Sequence, residues 1–400
     1  MLDLNHILLF VALVSPMVLL VRTARRAQET RAWRVPAAAV LLVTGSASLI
    51  SPAHAGYVGA GAWLLLLVVP TFALRKAAQT SAQQQFRRAR RLVSLIRFLH
   101  PARNLQAQRE LFRAVELAQN GATDVALEKL SLVAHSDTPA ARRAVAESFR
   151  LRGDWPGVVE WCRANVPRVG VGRDGALLLL YLRGLGELGL RDELVLQFAG
   201  RTPVLQASPV HQFTFLIGLL MVLAFCGRTA AVRRLLRKGL RALPREAKEF
   251  WIATSEIAAG ELPAGTARLQ HLRFNARDHL IRTESEQRLA HIDAFAPAPL
   301  NAPNESTVAR FEKAMESRSG TLVAPAFGAL TPAVLVILLL NLLMFAAEIL
   351  LGGSSNPAAL YRLGALDPEL VVTGEYWRLF AALFLHAGLL HLGVNAYALY

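Results

Sequence analysis

Apolar residues in this chain come in blocks long enough to cross a lipid bilayer, and the charges lie between the blocks. Three blocks stand near the amino terminus: "HILLFVALVSPMVLLV" (6–21), "VPAAAVLLVTGSASLI" (35–50) and "YVGAGAWLLLLVVPTFAL" (57–74). A fourth, "FGALTPAVLVILLLNLLMFAAEILL" (327–351), is the strongest. A spanning helix needs about 17 to 25 apolar residues, so the first three sit near the lower limit. The middle one, rich in Ala, Gly and Ser, is the weakest. Composition agrees: 54% of the residues are hydrophobic and 18% charged, against roughly 25% charged in an average globular chain.

The charges between the blocks give orientation. Residues 22–34 carry Arg22, Arg25, Arg26, Arg31 and Arg34, whereas 51–56 carry only His54. Arg75, Lys76, Arg87, Arg88, Arg90 and Arg91 follow the third block. Cytoplasmic loops collect Lys and Arg. The amino terminus is therefore expected outside, 22–34 inside, 51–56 outside, and everything from 76 to about 325 in the cytoplasm. The expected location is the inner (plasma) membrane, crossed several times. The run from Arg22 to "AHA" (53–55) also has the three parts of a secretory signal. Apolar segments on both sides of it weigh against cleavage there. The net charge of +15 fits contact with anionic lipids. Nucleic acid is not expected as a partner, because no aromatic-rich binding motif accompanies the charge.

Residues 76–325 show Leu, Ala, Arg and Glu at helical spacing and almost no strand alternation. "FRRARRLVSLIRFL" (86–99), in a basic juxtamembrane stretch of 76–103, sets arginines on one side of a helix. Phe86, Leu92, Leu95, Ile96 and Leu99 fall on the other, so it is expected along the membrane surface. An ordinary capping helix of the soluble domain is the alternative. From 104 to 295 helices break at glycines 121, 153, 189, 227 and 260, at separations of 32, 36, 38 and 33 residues. This period fits helix-turn-helix repeats. The stretch resembles tetratricopeptide repeats, with a degenerate residue pattern. Such repeats stack into a solenoid and take a protein partner on one face. A compact helical bundle is the bland alternative. "APAPLNAPNE" (296–305) then reads as a linker, extending with a short charged helix to 325. The two cysteines, Cys162 and Cys226, have no metal-ligand spacing and read as isolated reduced thiols. No cofactor or metal is implied.

The carboxyl-terminal part, 326–400, holds polar groups in apolar surroundings. Asn341 sits within the fourth block and reads as an interhelical hydrogen-bonding residue. Glu348, near the block's outer end, is expected to reach the interface. The loop 352–380 ends at Tyr376 and Trp377, where an interfacial aromatic belt would place them. The chain is then expected to re-enter the membrane over 381–400. On a helix, His391 and Asn395 lie four apart on one face. His386 is five before His391, about 140° round, so it serves something else or precedes the regular helix. Two donors preorganised where water is scarce suit the oxyanion of acyl transfer. A polar pair joining two helices is an equal reading of the same residues.

"GEYWRLFAALFLHAGLLHLGVN", with "LGALDPELV" just before it, resembles the first part of the rhomboid intramembrane serine protease core. The resemblance covers about 327–400. It implies that His391 and Asn395 are oxyanion-hole donors, that Trp377 and Arg378 hold the outer loop, and that His386 stands near a water-filled cavity. It also implies transmembrane protein substrates cleaved by a Ser–His pair. The family's Gly-x-Ser-Gly nucleophile occurs nowhere in these residues. "SRSG" (317–320) lacks the first Gly, and "GGSSN" (352–356) has no general base. The fold class expected is all-α: a polytopic membrane protein with a cytoplasmic α-solenoid. The expected function is that of the amino-terminal part of a rhomboid-type protease, inactive alone, the first part of a longer protein. The alternative is a membrane-anchored, tetratricopeptide-like scaffold with a pseudoprotease core, whose repeats recruit a cytoplasmic protein.

Overall fold

The computed structural model describes residues 4–24, 33–99, 103–135, 138–169, 174–207, 211–295, 298–316 and 332–399. Most of the basic loop 22–34, the "SRSG" stretch and residues 327–331 of the fourth apolar block lie outside the described residues. Among those described, every regular element is helical. The chain divides into two compact units, 2–324 and 325–400.

The first unit opens with α1 (Leu4–Ala24), α2 (Arg34–Ile50), α3 (Ala55–Trp63) and α4 (Val69–Ala82); α1, α2 and α3 pack against one another, and α4 packs on the helix that follows it. A π-helical turn, Leu64–Val68, joins α3 to α4 without a break. Asn5–Thr23 and Pro52–Ala82 are long and apolar enough to cross a membrane, while Arg34–Ile50 is apolar but shorter. The expected three-span anchor thus comes out as two helices of spanning length and one short one. At 1.5 Å per residue α2 rises about 26 Å, slightly under the ~30 Å hydrocarbon layer. Its small residues are used for close packing. Thr44 of α2 and Ala12 of α1 leave no room for a side chain at Gly59, which is how membrane helices gain contact. The Asn5 side chain donates to the Pro52 carbonyl at 2.9 Å and accepts from the Gly56 amide at 2.7 Å.

α5 (Phe86–Leu99) departs from the expectation of a helix lying on a membrane. Phe86, Ala89, Val93 and Ile96 are buried in a cluster with Ala77 of α4 and with Leu105, Phe112 and Val115. Its apolar face is spent inside the domain, as a capping helix would spend it. Leu95, assigned to that face, is 67% exposed. Arg87, Arg88 and Arg91 remain exposed.

Hairpins follow. They are α6 (Arg103–Gln119) with α7 (Thr123–Ala134), α8 (Pro139–Leu151) with α9 (Trp155–Val169), and α10 (Gly175–Glu187) with α11 (Arg191–Ala199). After the short α12 (Thr202–Gln206) come α13 (Gln212–Phe225) with α14 (Thr229–Lys238), and α15 (Arg245–Ala258) with α16 (Leu262–Asn275). The five glycines read as breaks all lie in these turns with positive φ. Gly227, at φ +72, also has no space: a Cβ there would stand 2.8 Å from the Ala258 carbonyl oxygen. The first helices of successive hairpins pack in series: α6 on α8, α8 on α10, α10 on α13, α13 on α15. α13 is as apolar as a span, but it has 14 residues and buries eleven of them at the centre of the domain core.

α17 (His279–Ala290) returns to α6 and α15. α18 (Ala302–Glu316) begins within the stretch read as a linker, yet it docks. Asn304 donates to the Asp192 carboxylate at 2.6 Å, and Phe311 packs edge-on against Phe198 at 5.5 Å. Proline and asparagine marked the break in regular structure; Asn304, within that same stretch, and Phe311 beyond it make the docking.

Gly227→Ala should lower the chain's unfolding free energy by at least about 1–2 kcal/mol, the cost of a left-handed non-glycine residue. Thermal unfolding in detergent micelles, followed by circular dichroism, measures it. Gly45→Ala, mid-helix with nothing within 4 Å of the added carbon, should leave stability unchanged or slightly raised. Burial, aided by nearby Asp174, pushes the Cys162 thiol up to about 12. Burial likewise pushes Cys226 up to about 12. A thiolate-seeking reagent at pH 8 should therefore alkylate neither thiol until the chain is denatured; mass spectrometry of the treated chain reads this directly.

Candidate active site

The second unit is built on α19 (Pro332–Leu350), whose described residues include the apolar stretch Val336–Leu350. Beyond it lie α20 (Pro357–Arg362), α21 (Pro368–Val372), α22 (Trp377–Ala381), a 3-10 turn (Ala382–Phe384) and α23 (Leu389–Leu399). Short helices with positive-φ glycines between them, at 364, 374 and 388, fold the loop back on itself. Asn356 and Asp367 cap α20 and α21 by accepting backbone amides, as short polar side chains do at helix starts.

Arg378 ties this loop together. Its side chain is buried, its Nη1 donates to the carbonyls of Tyr361 at 2.9 Å and Ala365 at 3.1 Å, and its Nε pairs with Glu375 at 2.6 Å. The guanidinium also stacks over the rings of Tyr361 and Trp377, 4.7 and 4.9 Å from their centroids. Only a planar fork of donors can serve two carbonyls and a carboxylate together. Trp377 lies against Gly364, where a Cβ would come within 2.3 Å of its ring. Tyr376 and Trp377 are themselves exposed, at 66% and 51%.

The polar residues of the last stretch converge. The sequence leaves His386 either on another face or ahead of the regular helix; the structure interrupts the helix before α23. The chain bends at 385–388, Gly388 takes φ +102, and α23 starts only at Leu389. The bend carries His386 back across the helix. Asn395 Nδ2 stands 3.1 Å from His386 Nε2, and the rings of His386 and His391 are 5.3 Å apart. His386 thus precedes the regular helix, one of the two readings its spacing left open, and meets Asn395 from there, because the 100° rule holds only inside a regular helix.

The hydrogen-bond partners assign the protons. His386 Nδ1 lies 2.8 Å from the Phe384 carbonyl, which can only accept. Nδ1 thus carries hydrogen, and the Nε2 lone pair accepts from Asn395. The Ala387 amide donates to His391 Nδ1 at 3.3 Å, so the hydrogen of His391 is on Nε2. His391 Nε2–H and the second amide hydrogen of Asn395 have no other partner among the described residues. Glu348 was placed at the interface by its position near a helix end. Instead it is fully buried, and its Oε1 accepts the His386 backbone amide at 2.7 Å. Sequence reasoning missed this carboxylate as a support of the site, although an acid inside an apolar helix is itself a signal. Asn341 is buried, and its Oδ1 makes no hydrogen bond among the described residues, unlike the expected interhelical contact.

Residues 373–400 match the family model of the Rhomboid domain. Among curated proteins the chain is similar to the rhomboid protease GluP of Bacillus subtilis (strain 168), 41% identical over 61 residues. That alignment covers 15% of this chain and 12% of the relative, so only a small part of the relative's length is represented here. No solved structure matches. The carboxyl-terminal segment is thus similar to a rhomboid protease, and the membrane character of that family agrees with the two span-length helices.

Arg378→Ala should leave the Ala365 carbonyl without this donor and the Tyr361 carbonyl with only the Gly364 amide, at about 1–3 kcal/mol for a group left unpaired. Loop 352–376 should then be cut faster in limited proteolysis, with the thermal midpoint of the chain lowered.

Proposed function

We propose that this chain is the amino-terminal part of a rhomboid-type intramembrane serine protease. The observation that carries the reading is the pair of donors on α23, Asn395 Nδ2–H and His391 Nε2–H, inside the segment similar to the Rhomboid domain. In this reading a serine hydroxyl attacks the scissile carbonyl of a transmembrane substrate, and a histidine base takes its proton and returns it to the leaving amine. These residues hold no Gly-x-Ser-Gly, so serine and base come from sequence outside them. What this chain contributes is the oxyanion site. The two donors face the carbonyl oxygen as it gains charge, while His386, held by Glu348 and Phe384, fixes the rotamer of Asn395. Preorganised donors need no reorientation as charge develops.

The finer topology belongs to the same proposal. Arginines on 22–34 and after 74 place both stretches in the cytoplasm. The exposed Arg87, Arg88 and Arg91 of α5, a few residues beyond a span-length helix, suit anionic lipid headgroups. The hairpin domain, 104–295, is read as a tetratricopeptide-like solenoid that takes a cytoplasmic protein.

In the complete protein, Asn395→Ala should lower turnover of a transmembrane substrate by about 10² to 10³, with expression and thermal midpoint preserved. Unchanged turnover would make Asn395 a packing residue. A reading frame that continues past Tyr400 without Gly-x-Ser-Gly and a later histidine would overturn the protease reading outright.

A further inference from the structure

The last helix of the hairpin series lies where a ligand would. α17 follows α16 in sequence, yet its side chains reach the first helices of four hairpins. Glu284 pairs with Arg150 of α8 at 2.8 Å and with Arg183 of α10 at 3.1 Å. Arg288 pairs with Glu187 of α10 and donates to Thr254 of α15. Asp278, just before α17, accepts from Gln119 of α6 at 2.8 Å. His279 and Gln287 lie against the turn glycines Gly121 and Gly153.

The manner of attachment is unlike the rest of the domain. α13 buries eleven residues, nearly all apolar. α17 buries Ile281, Ser285 and Arg288, and the Ser285 hydroxyl makes no hydrogen bond among the described residues. Charge pairs taken out of water return little net stability, because desolvation offsets their attraction. Apolar area is what holds a helix down, and α17 buries less of it than α13: Ile281 fully, with Leu280 and Leu289 partly buried against the apolar clusters and Arg288 over the rings of Phe225, Phe250 and Phe295. Beside its first half lies an open cavity of 470 Å³, lined by Arg143, Glu147 and Arg150 of α8, Asp174, and Ser81 and Ala82 at the end of α4. A helix held to these hairpins largely by matched charges is one that a helix of the same charge pattern can replace.

We propose that the face formed by α6, α8, α10 and α15 is a helix-binding groove that α17 occupies in cis. Its partner is an amphipathic protein helix with an apolar residue, an acid three positions on and a base four further, the pattern of Ile281, Glu284 and Arg288. That helix displaces α17 and fills the cavity, and because Ser81 and Ala82 line it, occupancy is felt at the end of the helix that continues from the span. The proposal rests on the reading of the hairpin domain as a partner-binding module, and is independent of the protease reading.

The test uses the whole chain in detergent micelles and a fluorescent synthetic peptide of residues 277–291. The variant Glu284→Lys/Arg288→Glu sets like charges against Arg150, Arg183 and Glu187. It should bind the peptide at least about tenfold more tightly than wild type, since the competent state is no longer blocked. A peptide carrying the same two exchanges should not bind. In the wild-type chain, α17 amides should exchange with deuterium about tenfold or more faster than those of α13, by local opening. Equal exchange in α17 and α13, or loss of the cooperative thermal unfolding of the whole domain in the variant, makes α17 a core element and overturns the proposal. Equal peptide binding by both chains overturns the occupancy of the groove by α17 but keeps the module reading. Binding by neither chain overturns both.

Discussion

Two guanidinium groups buried among aromatic rings set the register of the hairpin domain. Arg183 stands over Trp155, Phe250 and Trp251, and Arg288 over Phe225, Phe250 and Phe295. Both share the carboxylate of Glu187. Ring faces offset part of the lost hydration of a cation, and the carboxylates supply the rest. Burial pulls the Arg288 guanidinium below its usual range. Burial pushes the Glu284 carboxyl up, but Arg183 and Arg150 outweigh it and hold it below the ordinary value. Each charge here therefore depends on its neighbours, and α8, α10, α15 and α17 meet through this network of matched charges.

The same requirement shapes the 325–400 unit on a smaller scale. Its loop has few apolar residues to bury, so carbonyls that would otherwise face solvent are gathered on Arg378. At the bend before α23, the His386 amide would be left without a partner in the interior, and Glu348 accepts it. The histidine ring then receives its tautomer from Phe384 and passes its orientation to Asn395. An arrangement suited to stabilising negative charge is thus the by-product of satisfying backbone groups where the helix is interrupted.

Much of this was legible in the residues. Blocks of apolar sequence located α1, α2, the Pro52–Ala82 helix and α19, because a helix that buries apolar side chains in lipid must show them on every face. Glycines 121, 153, 189, 227 and 260 located five turns, because the left-handed conformation excludes most other side chains. The site residues were found through short spacing on one helix and through resemblance. What misled was the assumption of regularity. The helical period carried through Gly388 turns His386 away from Asn395, and only the alternative, that His386 precedes the regular helix, holds; α5 was laid on a membrane because its amphipathic pattern cannot say which apolar surface it meets.

Sequence by itself determined the local facts: helices, their ends, their apolar faces, and the candidacy of His391 and Asn395. Those depend on interactions within one or two turns of chain. Tertiary structure alone decided what each face meets. It placed the apolar α13 in a protein core instead of lipid, buried Glu348 beneath a bend of α23, and set α17 across hairpins more than a hundred residues away. These outcomes depend on which distant groups share a water-free space, and no local pattern encodes that.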